Sequence, residues 1–239
     1  MHSVENGQMY VARWPIRGGP YGLSGHRRMA RKDSRKISAM TLHLLALETS
    51  GSVCGVALIS RHADGRLTVS RLEHDAVGEH AERLLPMADQ LLSERGLGRS
   101  ALSAVAFGQG PGGFTGLRVA CGVAQGIAFA LQIPVVPVVS LMAVAQRDLE
   151  IAPSELADAV RVVVHDARMG EVYLGGYLPT AEGWVTVQAP VLLAASDLPQ
   201  WLEQAAQSLL SLHGARQVRL IGDGLHLCPG WQTLASPEG

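Results

Sequence analysis

The feature that most constrains this chain is a nine-residue junction, Gly108-Gln109-Gly110-Pro111-Gly112-Gly113-Phe114-Thr115-Gly116, with five glycines. It follows the apolar run from Ala104 to Gly108, which reads as a strand, and opens a helix expected from Thr115 to Leu131. Glycine at this density lets two backbone segments approach closely. It also lets several amide N–H groups converge at a helix N-terminus, where the helix dipole favours an anion. Spacing alone gives equal weight to a tight packing turn and a phosphate cradle. A P-loop is excluded, because Phe114 stands where the phosphate-binding lysine must be. The body of the chain offers no substitute: both lysines, Lys32 and Lys36, precede residue 40, which also excludes Schiff-base chemistry there.

The helix that follows carries small residues every fourth position: Gly116, Ala120, Ala124 and Ala128, with Gly122, Gly126 and Ala130 as a second row. Each glycine in a helix interior costs up to ~1 kcal/mol, so the rows need a packing reason. Close approach of another helix is one reason, and packing on the chain's own sheet is the other. Arg118 falls in the first turn, where its charge opposes the dipole; solvent, a carboxylate or a phosphate would relieve it.

Around this junction the chain reads as two similar halves. Leu42 to Leu47, Val53 to Ile59 and Leu67 to Leu72 are strands separated by turns at Thr49–Ser52 and Asp64-Gly65. A helix from about Glu79 to Arg95 puts Ala81, Leu84, Leu85, Ala88, Leu91 and Leu92 on one stripe, with Pro86 expected to bend it or mark its first turn. Strand Val135 to Val139 and helix Leu141 to Leu149 complete a β-β-β-α-β-α-β-α half. After Pro153, strands at Arg161–His165, Val172–Leu178 and Trp184–Leu193 precede a helix to about Leu210, capped by Ser196 or Asp197, and a strand at Val218–Ile221. Two such halves predict a two-lobed α/β molecule with a cleft between the lobes.

Several residues fall where the cleft is expected. Thr49 and Ser50 lie in a turn that holds phosphate in two-lobed phosphotransferases, or that only turns the chain. Asp166 opens the second half at the equivalent place and reads either as a carboxylate pair with Glu171 or as a turn with Arg168 paired to a neighbour. Gly222-Asp223-Gly224 ends the last strand beside them. With Gly110, Gly112, Gly113 and Thr115, the residues Thr49, Ser50, Asp166 and Gly222 make up the candidate nucleotide or phosphate loop. His80 begins its helix as a ligand, a cap or a surface residue. No G-x-S-x-G element is present. The nine histidines contain no H-x-x-x-H pair, and Cys54, Cys121 and Cys228 show no C-x-x-C spacing, so no metal site is expected. Cys54 and Cys121 read as small core residues in a reduced, cytoplasmic setting. No continuous apolar run reaches the roughly 18 to 20 residues of a membrane span.

Charge is uneven. Residues 1–40 hold eight Arg/Lys against two Asp/Glu, while the rest of the chain holds 12 against 19. An acidic body argues against a broad nucleic-acid-binding face. The basic segment shows no apolar periodicity, and its prolines and glycines spoil an amphipathic helix. A tail or mis-assigned start, a targeting segment and an RNA-contacting arm remain open for it.

Three stretches in this order and spacing, LLALETSGSVCGVAL, GEHAERLLPMADQLL and AFGQGPGGFTGLRVACGVAQGIAFALQIPVVPVVSL, resemble the bacterial TsaB (YeaZ) family, and DARMGEVY extends the match. The resemblance implies an actin-like (ASKHA) α/β fold of two ribonuclease-H-like lobes with mixed sheets: residues 40–150 the first lobe, 151–239 a shortened second lobe, 1–39 an extension. It implies a non-catalytic, cytoplasmic subunit of the machinery that makes N6-threonylcarbamoyladenosine at position 37 of tRNAs reading ANN codons. The implied partners are the catalytic paralogue TsaD and the ATPase TsaE, with tRNA met only through the complex, a homodimer as an option and no membrane. The two helices carrying His80, Leu84, Met87, Leu91, Arg118, Ala120, Ala124 and Ala128 would form the partner interface. No tightly bound cofactor is implied, and weakly held ATP or ADP at that interface remains open. A glycoprotease-like enzyme or an ASKHA phosphotransferase are the alternative readings, with Glu48, Asp166 and Asp223 the carboxylates a kinase would need.

Overall fold

The structure, a computed structural model, describes residues 41–75, 78–151, 159–213 and 217–228. The readings made for residues 1–39, Met40, Pro153 and the last eleven residues lie outside them. Two mixed sheets organise the chain. The first has the order β3-β2-β1-β4-β5, with β1 Leu42–Glu48, β2 Val53–Arg61, β3 Leu67–Asp75, β4 Ala104–Gly108 and β5 Val135–Val138. β1, β2 and β3 are antiparallel, and β4 and β5 run parallel to β1. That order and polarity are the ribonuclease-H-like sheet. The second sheet repeats its first four strand positions as β8-β7-β6-β9, with β6 Ala159–Arg168, β7 Glu171–Thr180, β8 Gly183–Ala194 and β9 Gln217–Ile221. Here too the first three strands are antiparallel and β9 is parallel to β6. The two-lobed actin-like fold is therefore present.

Helices α1 (His80–Glu94) and α2 (Phe114–Leu131) cover one face of the first sheet. β2 alternates strictly, and its buried Cys54, Val56 and Leu58 join Leu45, Leu47 and Val105 against Leu84, Leu91, Ala120 and Ala124. Burying Leu84 and Leu91 stabilises the lobe by about 1.5–3 kcal/mol each. Pro86 sits inside α1 and the helix runs through it; Pro86 is exposed, so water can satisfy the carbonyl its missing N–H leaves free. In the second lobe, β6 is buried on both faces. Val160, Val162 and Val164 meet α4 (Leu198–His213) through Leu198 and Leu202. Val163 and Tyr177 meet Leu141 and Ala145 of α3 (Ser140–Ile151).

Two details depart from the sequence reading. Ala195–Asp197 form a 3-10 turn running into α4, and the Ser196 hydroxyl is donated to Asp197 Oδ1. α3 follows the first half in sequence but packs on the second sheet. Its Asp148 accepts from Arg161 Nε at 3.0 Å and Arg219 Nε at 2.9 Å. Arg161 is fully buried, with its guanidinium 5.6 Å from the Trp184 ring centroid. Its start is tied to the first lobe: Ser140 N–H donates to Gly110 O, and Ser140 Oγ to Glu48 Oε2 at 3.1 Å. α3 is thus the strut that joins the lobes.

Candidate functional site

Two regions collect the residues singled out by sequence: the cleft between the lobes and the outer face of α1 and α2. The cleft encloses about 880 Å3. Its first-lobe wall is the β1–β2 turn with Pro111, Gly112, Gly113 and the first turn of α2. Its second-lobe wall is the end of β6 with the turn after β9.

The first-lobe wall explains the glycines without an anion. A Cβ on Gly116 would lie 2.0 Å from Thr49 O, and one on Gly112 2.5 Å from Ser50 O. One on Gly108 would lie 2.1 Å from Glu48 Oε2. The junction is laid against the β1–β2 turn at backbone contact, which only glycine permits. Two amides expected to face a phosphate are already taken: Gly113 N–H donates to Ser50 O at 2.7 Å and Gly110 N–H to Ser140 Oγ at 3.2 Å. Thr49 is fully buried and donates its hydroxyl to Gly116 O at 2.6 Å. Of the candidate loop, Ser50, Gly112, Gly113 and Asp166 line the cleft; Thr49, Gly110, Thr115 and Gly222 do not. Gly222, at φ +114, instead abuts the Val164 carbonyl. The geometry builds the packing turn, and it engages two of the amides a cradle would offer.

Glu48 is also committed. Its Oε1 accepts from Thr49 N at 2.9 Å and Ser50 N at 2.7 Å, and its Oε2 accepts from Ser140 Oγ. The second-lobe wall holds a coupled pair, His165 Nδ1 to Asp223 Oδ1 at 2.7 Å, with Asp166 N–H on the same oxygen at 3.3 Å. The hydrogen bond that His165 donates to Asp223 raises the His165 pKa above its ordinary value, against burial, and the charges of Asp223, Asp166 and Glu48 add to it. Burial opposes ionisation of Asp223, but the bond to His165 holds its pKa below the usual range. Asp166 accepts from Arg168 N at 2.7 Å and Nη1 at 3.4 Å. That is the paired-turn alternative, and Glu171 lies outside the cleft lining. Among the described residues, no group of three or more His, Cys, Asp or Glu could hold a metal ion.

The helix face divides differently from expectation. Ala120, Ala124 and Ala128, read as partner-facing, are buried on the chain's own sheet, as are Leu84, Met87 and Leu91. His80 packs near Gly116 and its Nδ1 is buried without a partner. The outward row is the second one. Gly122, Gly126 and Ala130 are exposed, and a Cβ on either glycine would meet nothing within 4 Å. Beside them Phe129 is 80% exposed, Phe114 68% and Leu85 44%. Arg118 is exposed and stacks 3.4 Å over the Phe114 ring, which relieves its position in the first turn. α2 is long and apolar enough to cross a membrane by length and composition, with 22% of it buried. Its inner row is nevertheless packed on β-strands of the first lobe. Cys54 is buried and its thiol pKa raised by burial; Cys121 is only half-buried.

The family model described as TsaD, tRNA N6-adenosine threonylcarbamoyltransferase, matches residues 74–205. The tRNA threonylcarbamoyladenosine biosynthesis protein TsaB of Haemophilus influenzae is 46% identical over 194 residues, covering 81% of this chain and 75% of its own length. The chain belongs to the TsaB family. The Escherichia coli TsaB is 38% identical over 194 residues, covering 80% of this chain and 73% of its own. A solved structure of YeaZ from Pseudomonas aeruginosa superposes with a TM-score of 0.57 at 42% identity, over 65% of this chain and 68% of that one. The TsaB match thus spans far more than the glycine junction.

Proposed function

We propose that this chain is a non-catalytic subunit of the tRNA threonylcarbamoyladenosine machinery, acting by pairing with TsaD and, through that pair, with TsaE. It meets tRNA at position 37 of ANN-reading tRNAs only within the assembly, and works in the cytoplasm. No tightly bound cofactor is part of this reading; ATP or ADP binds weakly at the partner interface if at all. The observation that carries it is the outer face of α2, where Gly122, Gly126, Phe129 and Ala130 are exposed together. Exposed small residues at i, i+4 beside an exposed phenylalanine suit a closely packed helix from a partner. Of the three carboxylates a phosphotransferase would use, Glu48 is spent on three hydrogen bonds within the fold, which favours the scaffold over the kinase alternative. Co-purification of the chain with its cognate TsaD, followed by threonylcarbamoyl transfer with and without the chain, tests it. Transfer that proceeds equally without the chain, or failure to pair, overturns it.

A further inference from the structure

The first sheet is covered on one side. α1 and α2 pack on the face that carries Leu45, Leu47, Val56 and Val105, while α3 and α4 pack on the second sheet. On the opposite face the strand registers join two apolar rows. One runs Val69, Ile59 and Leu44 across β3, β2 and β1; the other runs Ala57, Ala46, Ala106 and Val136 across β2, β1, β4 and β5. Val69 is 62% exposed and Val136 42%. Among the described residues no helix packs on this face. Burial alternates along β2, but hydropathy does not: Ala57 and Ile59 on the open face are apolar, like Val56 and Leu58 on the covered one. An antiparallel face left to water is ordinarily polar, so this one has the composition of a face that is covered.

We propose that residues 229–239 cross to the first lobe and lie on this open face, with Trp231 and Leu234 as the anchors. α3 shows how such a cover arrives. It leaves the cleft end of the first sheet, where Ser140 meets Glu48 and Gly110, and lies on the face of the second sheet that carries Val163 and Tyr177. The chain leaves the second sheet at the matching end. β9 is followed by the turn Asp223–Leu227, whose Asp223 and His226 line the cleft together with Ser50 and Gly51 of the first lobe. Fully extended, the eleven residues from Pro229 reach up to about 36 Å, against about 19 Å across five strands. Glu238 is their only charged side chain, so little has to leave water. Residues 1–40 run into β1, but they carry eight Arg/Lys, each costly to lay on an apolar face. Alanines at 46, 57 and 106 leave a shallow seat, which suits the flat indole of Trp231. The seat is on the far side of the sheet from α1 and α2, so it is separate from the surface proposed to meet TsaD.

The test uses the full chain with fluorotryptophan at its four tryptophans and with Cys121→Ser, which leaves only the buried Cys54 and Cys228. Trp231→Phe assigns the Trp231 fluorine line. A nitroxide is attached at Arg71→Cys, an exposed position on the same face as Val69. The Trp231 line is expected to lose intensity and to regain it when ascorbate reduces the label. With the nitroxide at Phe129→Cys, on the outer side of α2, the line keeps its intensity. Leu234→Ser and Val136→Asp each restore the line in the presence of the label at 71. A Trp231 line indifferent to that label, or weakened equally by both labels, overturns the proposal. Loss of the Trp14 line in its place also overturns it and makes the amino-terminal segment the cover. Loss that persists when label and fluorine sit on separate, mixed chains overturns it in favour of a second copy.

Discussion

Replacing Gly122 and Gly126 together by alanine separates the two faces of α2 and should make the isolated protein more stable. Glycine in a helix interior is about 0.5–1 kcal/mol worse than alanine, mostly through the entropy of the unfolded chain. Neither position returns a steric cost, because a Cβ at each meets nothing within 4 Å. The double variant should therefore gain about 1–2 kcal/mol, which for a protein of this size is a rise of about 2–8 °C in Tm. Gly126→Leu should keep most of that gain while placing a branched side chain on the surface proposed to meet TsaD. Ala124→Leu is the internal control: Ala124 is fully buried, so added methylenes overpack the core at a cost of about 1–3 kcal/mol. Thermal and urea unfolding of the isolated chain, with co-purification on TsaD in parallel, reads both effects. The pattern sought is a more stable monomer that no longer pairs for Gly126→Leu, beside a destabilised monomer for Ala124→Leu. If the double alanine variant is destabilised, the outer row is not free in solution. If Gly126→Leu pairs as tightly as the parent, the helix face is wrongly assigned.

Other changes probe the packing that shapes the cleft. Gly116→Ala drives a methyl into the Thr49 carbonyl and should cost about 3 kcal/mol or more, or prevent folding, by urea titration. Glu48→Ala leaves the Thr49 and Ser50 amides and the Ser140 hydroxyl without their acceptor and should cost about 2–4 kcal/mol. Asp148→Ala strands the buried Arg161 guanidinium and should cost about 3–5 kcal/mol, whereas Arg161→Met should cost much less. The pH dependence of unfolding follows from the cleft pair. His165, raised in the folded state, contributes fully below about 6.5 and loses its contribution as pH rises through the raised value. Asp223, lowered in the folded state, contributes above about 4 and loses it as pH falls. Denaturation midpoints should therefore be highest between those limits, and Asp223→Asn should flatten the profile.

The fold was legible because both lobes write their order into the sequence as hydrophobic period. The strict alternation of β2 marks one-sided burial, and the valine-rich start of β6, broken only by Arg161, marks two-sided burial; turn residues separate them. What period could not assign was the lobe that α3 serves. Its tie to the second sheet depends on Asp148 meeting Arg161 and Arg219, residues 13 and 71 positions away. The candidate site was legible only as a list of alternatives, for a reason that α2 makes plain. Its two small rows are indistinguishable in composition, since alanine and glycine recur in both. Which row is inner depends on where the first turn is fixed, and that is set by the contact of Gly116 with Thr49, made from a distant hairpin. Once that contact is fixed, Ala120, Ala124 and Ala128 follow Gly116 inward at four-residue spacing, and Gly122, Gly126 and Phe129 must face out. A signal for this was present: the outer row is the one flanked by Phe129 and Gln125, a large apolar and a polar residue that a crowded inner face would not admit together. The glycine junction and the exposed helix face are therefore one device, because the close backbone approach at Gly116 is what orients the rest of α2.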